Sequence, residues 1–367
     1  MKTNFSPKFK ITRSILNQLM EIEQARGFLK AAHLSNQWIK NMSKNAFLLE
    51  THHTTHIEGT QLTFEQSRKI LAGQKVSGLN KEDIKEVKNY RDAFNLVSKH
   101  LKEQKSITEA LIKAIHKELV KGVRGGSAKP GSYRKIQNYV GNAVTKEIIY
   151  TPPKPKEVPA LMKDFVRWIN QKSDIHPVLK SGIIQFQFVH IHPFVDGNGR
   201  TSRLLCTAYL YKEDYDFKKL FSISQYYDKD RKNFYEAIQA VRNNNMDMTV
   251  WLEYFIKGFL FQMNEVMDIG KKVILKDALI QNHSLSKRQG IILEYILENG
   301  KLLPKDFDKL LTQFEKLDKN LKRKTSGKMT KRTLQRDLKD MIDKKIIETK
   351  GKTNQKIYRL LKEGLNL

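Results

Sequence analysis

Residues 192 to 203, HPFVDGNGRTSR, constrain the fold of this chain more than any other stretch. A helical run from Pro177 to His190 delivers the chain to them, and a second helix starts inside them and continues through Leu204, Leu205, Ala208 and Leu210. Between the two, Gly197-Asn198-Gly199 lets successive backbone N–H groups converge on one point, because glycine reaches positive φ cheaply and asparagine tolerates it. A loop of free N–H groups at a helix N-terminus is an anion site, and Arg200 and Arg203 add positive charge one turn apart on the same face. The expected ligand is a polyphosphate. Asp196, at the mouth of the loop, suits Mg²⁺, which prefers one or two carboxylates together with phosphate oxygens. His192, with an ordinary pKa near neutrality, is placed to act as general base for an incoming hydroxyl.

The rest of the chain reads as mainly α. Ile15, Leu16, Leu19, Met20 and Ile22, and later Leu161, Phe165, Trp168 and Ile169, recur at helical spacing. The main exception is 131 to 153, where Gly131, Gly141 and Pro152-Pro153 bracket two short runs rich in β-branched and aromatic residues. This segment is expected to form a β-hairpin flap. Helices are expected over Pro159 to about Gln171 and as two more between about 222 and 265, with a polar stretch near 270 to 285 ending the domain. Apolar runs fall short of the roughly 20 residues that a bilayer span needs, and the first residues lack the apolar stretch of a secretory signal, so a cytoplasmic protein without a membrane segment is expected. Cys206 sits in the apolar run LLCTAYL and is read as a buried, inert thiol.

Charge adds one constraint. The chain holds 67 Lys and Arg against 39 Asp and Glu, a formal net charge of +28, which favours polyanionic partners. Residues 281–367 alone carry 22 basic and 11 acidic residues, a net of +11. There, a helix opening at SKRQG, a second basic helix over MTKRTLQRDLKDMIDKKII and two β-type runs in IIETKGKTNQKIYRL follow the order of a winged helix-turn-helix. Lys331, Arg332, Gln335, Arg336 and Lys339 would present a polar face to DNA. Alternatively the module binds protein, or pairs two copies of the chain as a homodimer.

The stretch from His192 to Arg200, with Arg203 following, resembles the full signature of the Fic (filamentation induced by cAMP) family. The GSYR segment at 131 to 134, the flap and YYDKDRKNFYEAIQAVR extend the likeness over roughly residues 45 to 260. The resemblance implies a Fic-type helical core with a β-hairpin flap, and AMP transfer from ATP to a Ser, Thr or Tyr hydroxyl of a target protein or of the chain itself. It further implies that His192 is the base, that Asp196 holds Mg²⁺, and that ATP binds Gly197, Asn198, Gly199, Arg200, Thr201, Ser202 and Arg203. The flap, especially Asn138 to Gly141, would pair with the target backbone by strand addition and cover the nucleotide, with Val140 and Gly141 against the ATP. Phe234 and Tyr235 would wall the adenine, unless they are ordinary helix core. Relatives that phosphorylate carry lysine in place of Gly199, so glycine here favours attack at the α-phosphate.

Residues 51 to 63, THHTTHIEGTQLT, resemble the inhibitory motif of the same family through Thr54 and Glu58-Gly59. The likeness implies that Glu58 pairs with Arg203, and a carboxylate offered from a helix would do so bidentately. In some braked relatives the same glutamate also aligns a water for AMP removal. His52, His53 and His56 lack a third-site cluster of ligand spacing and are read as helix surface, without metal. The chain thus divides in expectation into an N-terminal helical region with the inhibitory motif (1–100), a catalytic domain (101–265) and a winged-helix domain (281–367). A DNA-binding transcriptional regulator whose Fic domain senses ATP without turnover is the competing reading.

Overall fold

The computed structural model describes residues 5–103, 106–123, 129–141, 147–215, 220–320, 330–351 and 356–361. They fall into two compact units: one holds the chain as far as Val266 apart from Ala32–Leu34, and the other holds Ala32–Leu34 and the chain from Met267. In chain order the first unit contains α1 (Arg13–Ala31), α2 (Asn36–Ile57), α3 (Phe64–Leu71), α4 (Lys81–Glu103), α5 (Glu109–Leu119), β1 (Val140–Gly141) and β2 (Ile148–Tyr150). These are followed by α6 (Val158–Asn170), α7 (Pro177–Ile191), α8 (Asn198–Lys212), α9 (Ile223–Lys229), α10 (Arg231–Asn243) and the first part of α11 (Thr249–Asn282).

The α7–α8 pair is the centre of this unit. Both helices bury residues on every side, among them Val178, Ile183, Phe186 and Phe188 on α7 and Leu204, Leu205, Ala208 and Leu210 on α8, as a helix wrapped by others must. Gly182 has a specific reason: a Cβ there would meet the Phe255 ring at 2.9 Å, and Trp251 Nε1 donates to the Gly182 carbonyl at 2.8 Å. α11 therefore rests directly on the α7 backbone. Tyr90, Val97, Leu111, Ile115 and Leu119 complete a cluster that joins α4 and α5 to Leu204 and Ala208 of α8.

α2 is seated differently. Its buried face is polar, with Glu50, Thr51, His52, Thr54 and Thr55 all turned inward. Buried polar groups must be hydrogen-bonded, and these are. Glu50 accepts from the Tyr90 hydroxyl at 3.2 Å, from Ser222 Oγ at 2.9 Å and from the Ser224 amide at 3.1 Å. Thr51 and Thr55 return their hydroxyls to carbonyls of their own helix. The helix stops at Glu58 because Gly59 takes φ 106°, a left-handed exit that favours glycine. Hydrogen bonds and charge, more than apolar area, hold this helix in place.

One expectation needs correction here. The region after 222 holds a helix break at Asp230, so α9 and α10 are separate; aspartate bonds locally and is a poor residue for a helix interior. The polar stretch near 270 to 285 is helical over most of its length. α11 runs through it to Asn282, since KKVILKDALIQN has neither glycine nor proline and is rich in helix formers.

The flap is a short antiparallel hairpin, with Val140 opposite Tyr150 and Gly141 opposite Ile148 and an irregularity between them. A Cβ on Gly141 would meet the Glu147 carbonyl at 2.7 Å, so the close strand approach requires glycine. The turn between the strands, 142–146, lies outside the described residues.

The second unit contains α12 (Lys287–Asn299), α13 (Phe307–Asn320), α14 (Lys331–Asp343), β3 (Ile347–Lys350) and β4 (Ile357–Leu360). β3 and β4 pair antiparallel, and Leu302, between α12 and α13, pairs with Tyr358 of β4. Ile292, Leu293, Ile296, Leu310, Phe314, Leu334, Leu338 and Met341 form its core. Asp337 of α14 receives two bonds from Arg288 of α12, at 2.8 and 3.2 Å. The turn between β3 and β4, 352–355, is outside the described residues.

Candidate active site

His192 caps the C-terminus of α7 in the left-handed region, at φ 50° and ψ 58°. The residue before a proline is pushed out of helical conformation, and a non-glycine residue held at positive φ costs roughly 1 kcal/mol or more. Arg134, from GSYR, offsets that strain: its Nε donates to the His192 carbonyl at 2.8 Å, and its backbone N–H donates to the Pro193 carbonyl at 2.9 Å. Its remaining N–H groups reach the carbonyls of Ile136 and Pro153. One buried guanidinium thus ties the foot of the flap to the residue that carries the base.

The imidazole of His192 is held as well as its backbone. Nδ1 lies 3.3 Å from the Val189 carbonyl, which can only accept, so Nδ1 carries the proton and Nε2 is left with its lone pair. Burial pushes the pKa of the ring down to about 4; the Val189 carbonyl opposes that shift, while Arg134 and Arg242 add to it. At neutral pH His192 is an unprotonated base.

The loop that follows is braced from within. Phe194 is fully buried and stacks on His116 with ring centres 3.7 Å apart. Asn198 closes the loop, accepting from the Phe194 N–H at 3.0 Å and donating to its carbonyl at 2.9 Å. Asn138 of the flap reaches the carbonyls of Phe194 and Val195 at 2.9 and 3.1 Å. His116 donates from Nε2 to the Asp196 carbonyl at 3.0 Å and accepts the Gly131 N–H on Nδ1 at 3.0 Å. Gly197 sits at φ 75°, where a Cβ would also strike Val120 at 2.7 Å.

Of the three residues expected to form the anion hole, Gly197 has its amide taken. Asp196 Oδ1 accepts it at 2.7 Å, because the loop turns that carboxylate back on its own chain. Asn198, Gly199 and Arg200 are the first three residues of α8, whose amides have no intrahelical carbonyl to bond. Glu58 lies beside Gly199. A Cβ on Gly199 would collide with Glu58 Oε1, so glycine is required here for the carboxylate to approach. An anion supplied by the chain itself occupies the mouth of this helix.

Arg203 is 2 % exposed and holds that anion, donating from Nη2 to Glu58 Oε1 at 2.7 Å. The pair is not bidentate as expected, since Thr54 takes the other edge. Arg203 Nε donates to Thr54 Oγ1 at 2.7 Å, and Nη2 also donates to the Thr54 carbonyl at 3.0 Å. Burial works against ionisation of Glu58, but Arg203 and then Arg200 outweigh it and its pKa is lowered. Arg200 is buried too, 3.1 Å from Glu86 of α4 and 3.7 Å from Asp196 Oδ2. Thr201 and Ser202 spend their hydroxyls on the carbonyls of Gly197 and Gly199, both at 2.8 Å, inside α8.

The expected adenine wall separates into two fates. Phe234 is 3 % exposed and stacks on Tyr227 at 4.4 Å, so it belongs to the aromatic core instead. Tyr235, its neighbour, is 54 % exposed. The histidines of α2 also find a role that spacing did not show. His53 and His56 both reach Asp228 of α9, at 2.7 and 2.8 Å, and Arg231 shares the same carboxylate at 2.7 Å. These bonds fasten the turn of α2 that carries Thr54 and Glu58. Among the described residues no group of three or more His, Cys, Asp or Glu could hold a metal ion. Asp196 alone fits Mg²⁺ by its chemistry, as a half-exposed carboxylate at the mouth of an anion site, the single protein ligand that Mg²⁺ accepts when phosphates supply the rest.

His192, the first turn of α8 and the two buried arginines Arg200 and Arg203 are the chemistry-bearing groups of this unit. Residues 106–210 match the Fic/DOC family. The protein adenylyltransferase Fic of Drosophila grimshawi is 29% identical over 246 residues, 64% of this chain and 49% of the relative. That of Drosophila yakuba is 33% identical over 201 residues, covering 54% and 39%. The chain therefore spans about half, or less, of the length of these curated relatives. Among solved structures, a Fic family protein from Desulfovibrio desulfuricans G20 superposes with a TM-score of 0.62 at 22% identity, over 97% of this chain and 98% of that one. Fic-1 from C. elegans does so at 0.58 and 22% identity, over 70% and 74%. The fold is the mainly helical Fic type with its small β-hairpin. Among the described residues no helix is long and apolar enough to cross a membrane.

Proposed function

We propose that this chain is a protein adenylyltransferase that moves AMP from ATP to a hydroxyl side chain of a protein, with Glu58 as an internal brake. The observation that carries the reading is the tautomer of His192, whose Nε2 keeps its lone pair, on a ring that shares the electrostatic environment of Glu58 with Arg203 and Arg200. In the reaction, Nε2 takes the proton of the target hydroxyl as its oxygen bonds to the α-phosphorus. The bond from that phosphorus to the bridging oxygen breaks, and pyrophosphate leaves with the electron pair. Arg203 and the amides of 198 to 200 would hold the phosphates, which requires Glu58 to withdraw. Mg²⁺, when bound at Asp196, would supply neutralising charge to the phosphates. Phosphorus chemistry of this kind depends on positioning and charge more than on covalent help.

The flap supports a protein substrate. Ile136, Tyr139, Ile148 and Ile149 are 48 to 61 % exposed, an apolar surface next to a strand edge, suited to receiving an extended target segment. The names of the relatives agree with this reading. Incubating the full chain carrying Glu58→Gly with ATP and Mg²⁺ and weighing the products tests it. A gain of one AMP on protein is expected, and a gain of one phosphate would overturn the assignment.

For the second unit, the element order and the Leu302–Tyr358 pairing support the winged-helix reading, and Lys331, Arg332, Gln335, Arg336 and Lys339 all lie exposed on one face of α14. We expect the full chain to bind duplex DNA at low salt, and Arg332→Glu with Arg336→Glu to lower the salt slope of binding by about one for each phosphate no longer neutralised. Binding that is unchanged in the double variant removes α14 from the interface. A regulator that merely sensed ATP would have no use for a base poised at Nε2, so DNA binding is read as an addition to the enzyme.

A further inference from the structure

Arg242, in the last turn of α10, takes no part in the proton transfer or in holding the phosphates, yet its setting is costly. Its guanidinium lies over the Tyr150 ring, 3.5 Å from the centre. Nη1 donates to Gln239 Oε1 at 3.1 Å, and Nε is buried with no hydrogen-bond partner among the described residues. Burial pulls its pKa down to about 10, opposed by Tyr150. Among the described residues it has no ion pair, and a desolvated cation without a close counter-ion is expensive to keep.

What it touches leads to the base. Tyr150 is the last residue of β2, and its hydroxyl bonds His190 twice, to the carbonyl at 2.8 Å and to Nδ1 at 2.9 Å. His190 stands two residues before His192 on the end of α7. Among the described residues, the charged groups that act on His192 are Arg134 from the foot of the flap, Arg242 from α10 and Glu58 from α2. Of these three charges only Glu58 favours the protonated ring. A triphosphate that displaced Glu58 would bring more negative charge to the same side and tend to protonate the base, unless fixed cations opposed it.

We propose that Arg242 is a positioning residue of the transfer reaction: it clamps β2 against the helix end that carries His192, and its charge keeps that imidazole in the proton-accepting form. The functional meaning rests on the AMP-transfer reading; the clamp and the field are properties of the chain itself.

The test follows the His192 ring directly, by NMR titration of the full chain with ¹³C-labelled histidine in the Glu58→Gly background, the resonance being assigned by its loss in His192→Ala. Arg242→Gln should raise the midpoint of His192 by about half a unit to one unit, the scale of one partly screened charge at close range. Arg242→Lys, which keeps the charge, should stay near the parent. Arg242→Met serves as the neutral variant where circular dichroism shows that the glutamine variant is unfolded. In AMP transfer, the acid limb of kcat/KM should move upward with the neutral variant and not with lysine; a purely structural residue would lower the rate without moving the limb. An unmoved midpoint in the neutral variant, or an equal shift in lysine, overturns the proposal. A parent that transfers no AMP defeats the functional reading instead, and the titration still decides the role of Arg242.

Discussion

Replacing Glu58 by glycine raises ATP-dependent labelling of the chain, or of its target, about 10- to 100-fold. The size follows from the bond that is removed. Arg203 must exchange the Glu58 carboxylate at 2.7 Å for a phosphate oxygen before ATP can lie productively, and a charged hydrogen bond is worth about 1.5 to 3 kcal/mol. At about 1.4 kcal/mol per factor of ten, the fraction of molecules competent for ATP rises by one to two decades. Thr54 stays in place and keeps Arg203 oriented through Nε, so the freed guanidinium still points at the first turn of α8. Glu58→Gln, which keeps the shape and removes the charge, should give a smaller increase. The measurement is the initial rate of label transfer from ATP labelled at the α-phosphate. A Glu58→Gly rate within twofold of the parent means that this carboxylate does not compete with the triphosphate, and the brake drops out of the mechanism.

The residues of the proposed brake and the proposed base are both visible in sequence because each set is written in local spacing. His192, Asp196, Gly197 to Gly199, Arg200 and Arg203 lie within twelve residues, and Thr54 and Glu58 within one helical turn of each other. The supports of these residues are not local. Arg134 acts on His192 across 58 positions, His116 on Asp196 across 80 and Thr54 on Arg203 across 149. Nothing in the spacing of His116 among Leu111, Ile112, Ile115 and Leu119 marks it as other than a core histidine, and it is both: buried, and bonded through each ring nitrogen. The partner of Arg200 on α4, Glu86, is hidden for the same reason. Phe234 is different, since its fate is legible. It shares a face with Ile238 and Val241 at helical spacing, and all three are buried, whereas Tyr235 is one position off that face and exposed. The likeness to a family draws Phe234 into the adenine wall against the periodicity. The helical state of the stretch near 270 to 285 is missed in sequence because lysines suggest a solvated linker, while the helix propensity of the same residues carries α11 to Asn282.

Removing the imidazole should have the largest effect of all. In the Glu58→Gly background, His192→Ala is expected to lower the rate of AMP transfer about 10²- to 10⁴-fold, the range that a positioned general base contributes. Alanine alone mixes two effects, because position 192 sits at φ 50°, where an ordinary side chain is strained and the loop to Asp196 is free to shift with the substitution. Asparagine separates them, since it tolerates the left-handed region and can still bond the Val189 carbonyl with its amide, but has no lone pair where Nε2 stood. Both variants should lose transfer to a similar degree, while ATP binding, which depends on Arg203 and the amides of α8, changes only a fewfold. Binding by calorimetry and transfer by mass spectrometry read the two quantities separately. If the asparagine variant kept its rate within tenfold of the parent, proton abstraction by the ring would not be the step that His192 supplies, and its left-handed backbone, fixed by Arg134, would be the feature that matters. The contact of Nδ1 with the Val189 carbonyl argues for the opposite result, because it leaves Nε2 as the one ring nitrogen able to take a proton, which a residue needed only for its backbone has no use for.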